Sequence, residues 1–250
     1  MTHLVASELR RMASRRLFRW ILVLAAAGIA LIAALVFANA GDTFRRSDME
    51  SGLLGLAFPL IMLGWLVGAS SIGAEWTHRT VTALLTWEPR RTRVLVAKVT
   101  AACAYAAVLV VVLEVVYTIL MLPAAAGGDA FAPREAFAWN DYVAAGTRIM
   151  AVSVIAAALG FAIATVGRNT GAALGGGMAY LLIAETLIRA WKPSWEVWLL
   201  GSNMGRFVGG DASPGGLTAR TTEDAAVVLV AYAVGLFLIA LWFFRRREIA

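Results

Sequence analysis

The sequence predicts an all-α integral membrane protein that crosses the bilayer six times. Three observations lead to this prediction: 60% of the 250 residues are hydrophobic, only 15% are charged, and the mean hydropathy is +0.76. A soluble domain usually carries about 25% charged residues, so this composition would leave large apolar patches facing water. No change of composition marks off a soluble region, and residues 1–250 are expected to form one membrane domain.

Each predicted span is an apolar run close to the roughly 20 residues that cross a bilayer as a helix. Before the first run, residues 2–16 place apolar side chains at helical spacing and arginines on other faces. This pattern is typical of an elbow helix that lies in the membrane interface. The six spans are predicted at about 17–38, 53–74, 97–122, 143–166, 170–188 and 225–244.

Positive charge distinguishes the two sides of this domain. Segments 1–19, 75–98, 167–171 and 245–250 hold fourteen of the 22 Lys and Arg residues. Cytoplasmic loops carry an excess of these residues. We therefore expect a multi-pass protein of the cell (inner) membrane with both termini in the cytoplasm.

The cytoplasmic connection between spans two and three, residues 75–93, is the most informative segment. Leu84 and Leu85 give it an apolar edge, and Pro89 favours the end of a short helix because Glu88 is pushed away from helical dihedral angles. A short amphipathic helix there would form a docking surface for a soluble partner.

The order of residues in this segment resembles the corresponding loop of type-two ABC export permeases. The resemblance is carried by Glu75, Arg79-Thr80, Leu84-Leu85-Thr86, Pro89-Arg90-Arg91 and Lys98, together with an N-terminal Glu8-Leu9-Arg10-Arg11. It implies a coupling helix that sits in a groove of an ATPase. The functional positions that it implies are Glu75, Arg79, Thr80, Leu84, Leu85, Pro89 and Arg90.

The resemblance further implies a permease subunit that works with two ATPase subunits and with a second copy or a sister permease. ATP and Mg are expected on the ATPase, and no cofactor on this chain. A phosphate-binding loop needs Gly-Lys-Ser/Thr, whereas the only two lysines, Lys98 and Lys192, follow Ala97 and Trp191. With one cysteine, two histidines and no hydrolase motif, we expect neither a metal site nor an enzyme.

Three ionisable residues lie inside predicted spans: Glu114, Arg148 and Glu185. Charged groups at such depth mark functional sites by default. Two interpretations remain open, a lining of the substrate path and a structural pair in which the charges neutralise one another. The same three residues could instead serve an ion-coupled transporter or channel. A further alternative is a non-transporting assembly or immunity protein.

The predicted extracytoplasmic loop, residues 189–224, is too long for a simple turn. Trp191, Trp195 and Trp198 indicate an aromatic belt at the membrane surface, and a short re-entrant helix is expected to begin near Pro193. Two glycine pairs, Gly64/Gly68 and Gly171/Gly175, have a spacing that permits close helix packing and contacts between two copies. With 23 glycines in the chain, chance spacing is the stronger explanation for either pair alone.

Overall fold

The structure is a computed structural model, and it describes residues 1–40, 43–77, 90–129, 138–210 and 221–246. Within these ranges nearly every residue is helical and no β-strand occurs. Six helical runs are long and apolar enough to cross a membrane, which confirms the predicted fold class. These runs are α2 (Arg16–Ala40), α4 (Ala57–Thr77), α5 (Arg91–Asp129), α6 (Trp139–Gly167), the run Thr170–Trp191 and α10 (Thr222–Arg246).

Shorter elements connect or interrupt the six runs. The fifth run is α7, a wider π turn and α8 in succession, and the loop after it holds a 3-10 turn and one more helix. The bounds are α1 (Thr2–Ser14), α3 (Arg46–Gly55), α7 (Thr170–Ala179), the π turn (Tyr180–Ala184), α8 (Glu185–Trp191), the 3-10 turn (Pro193–Trp198) and α9 (Leu200–Gly209).

Helices α4 and α6 form the centre of the bundle and are the two most buried of the candidate spans. Glycines let their backbones approach closely. A methyl group on Gly64 would overlap the carbonyl oxygen of Ser153, and one on Gly68 would overlap that of Ala157. The close packing at Gly64 and Gly68 therefore lies inside the chain, between α4 and α6.

The second span begins later than the apolar run that predicted it. That run starts at Leu53, but α3 ends at Gly55 and α4 begins at Ala57. Pro59 lacks a backbone N–H and cannot bond to the carbonyl four residues earlier, which accounts for a break here. The helix of the third span, α5, has 39 residues and is about 58 Å long at 1.5 Å per residue, so it extends beyond the ~30 Å hydrocarbon layer.

One end of the bundle, called here the terminal end, carries α1, the last turn of α4, the start of α5 and the last turn of α10. A helix over residues 2–14 agrees with the predicted elbow, while its position in a membrane interface stays a prediction. Residues 78–89, most of the predicted coupling segment, lie outside the described residues.

Candidate functional site

Glu75 lies in the last turn of α4, and its carboxylate is the centre of a buried group of charges. Oε1 of Glu75 accepts hydrogen bonds from Nζ of Lys98 at 2.8 Å and from the guanidinium of Arg11. Lys98 comes from the start of α5 and also donates to Oε1 of Glu8 at 2.8 Å. Arg11 completes the ring with a 2.6 Å contact to Oε2 of Glu8. Glu75 and Lys98 are each only 3% exposed.

Arg15 adds a third cation to this group. Its Nη2 lies 3.7 Å from Oε1 of Glu75, and its Nη1 donates to the carbonyl oxygen of Ser70 at 3.2 Å. We call Glu8, Arg11, Arg15, Glu75 and Lys98 the charge cluster. It joins three helices, because Glu8 and Arg11 belong to α1, Glu75 to α4 and Lys98 to α5.

Burial and neighbouring charges shift the pKa of two cluster residues outside the candidate spans, Glu8 and Arg15. Burial alone would raise the pKa of Glu8. The charges and hydrogen bonds of Lys98 and Arg11 together lower it by more, so the pKa of Glu8 lies below its ordinary value. Burial, assisted by the charge of Arg11, lowers the pKa of Arg15. Buried charges are tolerated when they are paired and hydrogen-bonded, so the cluster holds α1 against the two helix ends that flank residues 78–89.

A second set of contacts at the terminal end connects α6 and α10 to the ends of α4 and α5. The guanidinium of Arg168, at the end of α6, lies 5.0 Å from the ring centroid of Trp76, next to Glu75. The Trp76 ring meets Phe244 of α10 edge-on at 6.1 Å. Arg91 donates to the carbonyl oxygens of Phe244 and Arg245 at 3.4 and 3.3 Å. A cation beside helix carbonyls at a C-terminus is a favourable arrangement.

The sequence-based site residues at this end have three different outcomes. Glu75 lies at the centre of the charge cluster. Arg90 is exposed, and its carbonyl oxygen accepts the first hydrogen bonds of α5. The other expected coupling positions lie outside the described residues and stay predictions: Arg79, Thr80, Leu84, Leu85 and Pro89.

Sequence reasoning did not assign a site role to four members of the cluster: Glu8, Arg11, Arg15 and Lys98. Two signals were present. Glu8 is the only acid among the first 41 residues, and Lys98 is one of two lysines in the chain and is followed by an apolar run. Their convergence on Glu75 depends on how α1 packs, which helical periodicity alone does not fix.

At the opposite end of the bundle, two of the intramembrane charges hold the ends of α9. Oε1 of Glu185 accepts a hydrogen bond from the backbone N–H of Gly201, in the first turn of α9, at 2.8 Å. Nη1 of Arg148 lies 3.5 Å from the carbonyl oxygen of Val208, in the last turn. Gly210 follows with a positive φ of 67°, and a side chain there would overlap the Arg148 guanidinium. An acid at the N-terminus and a cation at the C-terminus complement the helix dipole.

Glu114, Arg148 and Glu185 do not pair with one another among the described residues, so the interpretation of a structural pair, one of the two left open by the sequence, gains no support here. No ion pair between described residues includes Glu114 or Arg148. The reason is that the side chains face different elements: Glu114 faces α6 beside Gly146, whereas Glu185 and Arg148 face α9. A role in lining a substrate path is untested and stays a prediction.

Two cavities adjoin these charges. One of about 460 Å³ lies between α4, the π turn and α9, and Glu185 and Arg189 are among its lining residues. The other, of about 360 Å³, lies between α5 and α6 and is lined by Glu114, Thr118 and Tyr142 among others. π turns occur frequently at functional sites, and Tyr180–Ala184 directly precedes Glu185.

Comparison with known proteins gives one family. The model of a family described as "Protein of unknown function (DUF2705)" matches residues 29–250. No curated protein matches the chain. The matched region includes Glu75, Lys98 and all of α9 but begins after α1, which supplies the other half of the charge cluster.

Proposed function

The chain belongs to the DUF2705 family, and we propose that it is the membrane-spanning permease subunit of an ATP-driven ABC exporter. In this role it moves a drug, lipid, peptide or glycan across the cell membrane while a separate subunit hydrolyses ATP. The charge cluster is the observation that supports the proposal best. It stands at both ends of the segment whose sequence resembles the ATPase-contacting loop of type-two ABC export permeases.

The charge cluster would transmit a movement of residues 78–89 to the helices of the bundle. Residues 78–89 are flanked by α4 on one side and by α5 on the other, and Glu75 and Lys98 join these helices through a buried ion pair. Glu8 and Arg11 add α1 to the same unit. A displacement of the segment would therefore move three helices together.

Close packing then carries the movement to the centre of the bundle. Gly64 and Gly68 bring the backbone of α4 into direct contact with that of α6. Packed cores shift between discrete arrangements and do not deform continuously. In the proposed cycle, two ATPase subunits close on ATP and Mg, and α4 passes the change to a pathway formed with a second copy or a sister permease.

The proposal requires the termini and residues 75–93 to lie in the cytoplasm, where the ATPase is. A single cysteine at position 83, in a Cys103→Ser background, tests this placement. We expect it to react with a membrane-impermeant thiol reagent only after cells are permeabilised. A cysteine at position 215, in the predicted extracytoplasmic loop, is the matched control and should react in intact cells.

Co-purification tests the function. The tagged chain should bring down a soluble ATP-binding protein from native membranes, and replacing Glu75 or the Leu84-Leu85 pair by Ala should uncouple ATP hydrolysis from transport while membrane insertion is unchanged. Labelling of position 83 in intact cells would overturn the proposal. Recovery of the folded chain with no ATPase would favour the alternative of an assembly or immunity protein.

The alternative of an ion-coupled transporter or channel has less support. A relay needs its ionisable groups within reach of one another, and Arg148 and Glu185 are each engaged with an end of α9. Glu114, the third of these ionisable residues, lines a cavity whose lining includes neither Arg148 nor Glu185.

A further inference from the structure

The carboxylate of Glu114 lacks the partner that a charge in this position needs. Its Oε1 is buried and accepts no hydrogen bond from any described residue. The second oxygen, Oε2, faces Gly146 of α6, where a Cβ atom would lie only 3.3 Å away. An ionised carboxylate within a membrane-spanning helix is costly unless a donor or an opposite charge compensates it.

The neighbouring hydroxyl groups do not supply that donor. Oγ1 of Thr118 lies 2.8 Å from the backbone carbonyl oxygen of Glu114 and donates its single proton there. The Tyr142 hydroxyl lies 2.6 Å from the same Oγ1 and is paired with it. Neither hydroxyl therefore supplies the buried Oε1 of Glu114 with a donor.

The cavity around this carboxylate is aromatic at one end and apolar along its open side. Trp139 meets the ring of Tyr142 edge-on at 6.0 Å and is 46% exposed. The remaining wall includes aliphatic side chains that are exposed on the bundle surface: Val111, Val115, Ile119 and Val143. In a bilayer this side faces hydrocarbon.

We propose that this cavity binds a primary alkylammonium group that enters from the bilayer. The ammonium donates to the Glu114 carboxylate, which lines the cavity, and balances its charge, which a neutral or anionic ligand would not do. The aromatic rings of Trp139 and Tyr142 attract the same cation. The alkyl chain lies along the exposed aliphatic wall, where its apolar surface is covered.

Two sources could supply this chemistry, the amine headgroup of a bilayer lipid and a free cationic amphiphile. The inference concerns binding to this chain alone and stands whether or not an ATPase couples to it. Its failure and the failure of the proposed permease role are therefore distinguishable.

The test is saturable binding of radiolabelled dodecylammonium to the purified full-length chain in dodecyl maltoside. This detergent carries the same alkyl chain on a neutral headgroup and is present in excess. Dodecylammonium that stays bound is therefore held through its charged headgroup. We expect Glu114→Gln to weaken binding about tenfold, the effect of losing one charge-assisted hydrogen bond. Glu223→Gln, an exposed acid outside the cavity, is the matched control and should bind as the wild type does.

Two further measurements keep the test decisive if Glu114→Gln does not fold. Trp139→Leu changes an exposed side chain and should weaken binding about threefold through the lost cation–π attraction. Dodecyltrimethylammonium has the same charge and chain but no N–H donor, and should bind more weakly than dodecylammonium. Equal binding of the two probes would overturn the assignment of a primary ammonium.

Competition identifies the source. Displacement by short-chain phosphatidylethanolamine, but not by phosphatidylglycerol, assigns the site to a lipid headgroup. Displacement only by single-chain amines assigns it to a free amphiphile, and both results support the proposed chemistry. Absence of saturable binding to folded wild-type protein, or full binding to folded Glu114→Gln, would overturn it.

Discussion

Nζ of Lys98 lies 2.8 Å from Oε1 of Glu75, and both of these ionisable side chains are buried. The pair bridges the end of α4 and the start of α5, the two helices that flank residues 78–89. Buried ion pairs contribute little net stability compared with apolar packing, but losing one partner is strongly destabilising. The pair is therefore better understood as a device that fixes the relative positions of these helix ends.

Lys98→Met should destabilise the folded chain by about 3 kcal/mol, the lower end of the range for breaking a buried ion pair. The lower end is expected because Arg11 still contacts both Glu8 and Glu75. The measurement is the apparent melting temperature of the purified protein in detergent.

The other lysine in the chain provides the matched control for Lys98→Met. Lys192 is exposed and lies about 5 Å from the rings of Trp191 and Trp195. Lys192→Met should cost less than about 1 kcal/mol. Equal effects of the two variants would contradict the structural role of Lys98.

The number of spans could be predicted from the sequence, because an apolar run of about 20 residues is stable in a bilayer as a membrane-crossing helix. The sequence also predicted a coupling role for Glu75 through the resemblance to a known loop, and that role stays a prediction. Arg148 and Glu185 could be recognised as ionisable residues inside predicted spans. Their partners could not be predicted, because the direction of a side chain around the helix axis depends on which helix packs beside it. Their partner is the backbone of α9, which lies in the loop after span five.

The charge cluster should also make the folding stability of the protein depend on pH in the acidic range. The folded pKa of Glu8 lies below its ordinary value of 4.5, so the unfolded chain takes up a proton more readily than the folded one. The stabilisation by Glu8 is thus fully present above 4.5 and is lost as the pH falls through the lower folded pKa. Melting temperatures of wild type and Glu8→Gln should differ near neutral pH and converge in acid. A constant difference across the range would show that Glu8 does not titrate with folding.

Close approach of α4 and α6 predicts an asymmetric response to alanine at two glycines. A Cβ atom on Gly68 would overlap the backbone carbonyl of Ala157, which cannot rotate away. Gly68→Ala should therefore destabilise the protein by about 1–3 kcal/mol through overpacking. Gly28 of α2 has nothing within 4 Å of its Cβ position, and Gly28→Ala should be neutral or stabilising by up to about 1 kcal/mol. Thermal unfolding of the two variants measures the contrast, and destabilisation by both would mean that α2 is covered by another chain.

Glu185 and Arg148 should act on α9 separately, one at each end. Glu185→Gln removes the charge that accepts the N–H of Gly201, and amides of Leu200–Gly209 should exchange hydrogen about tenfold faster. Arg148→Gln should have a smaller effect, because its contact with the Val208 carbonyl is long at 3.5 Å. Exchange in the middle of α5 should not change in either variant.

The double variant distinguishes this arrangement from a direct pair. The two ends of a ten-residue helix are about 15 Å apart, and effects at such separation add to within about 0.5 kcal/mol when no partner is shared. The summed free energies of the single variants should therefore equal that of Glu185→Gln/Arg148→Gln. If the two side chains paired with each other in the membrane, the second substitution would remove a charge already left unpaired by the first. The double variant would then be less destabilised than the sum, and α9 would not be the element that these charges hold.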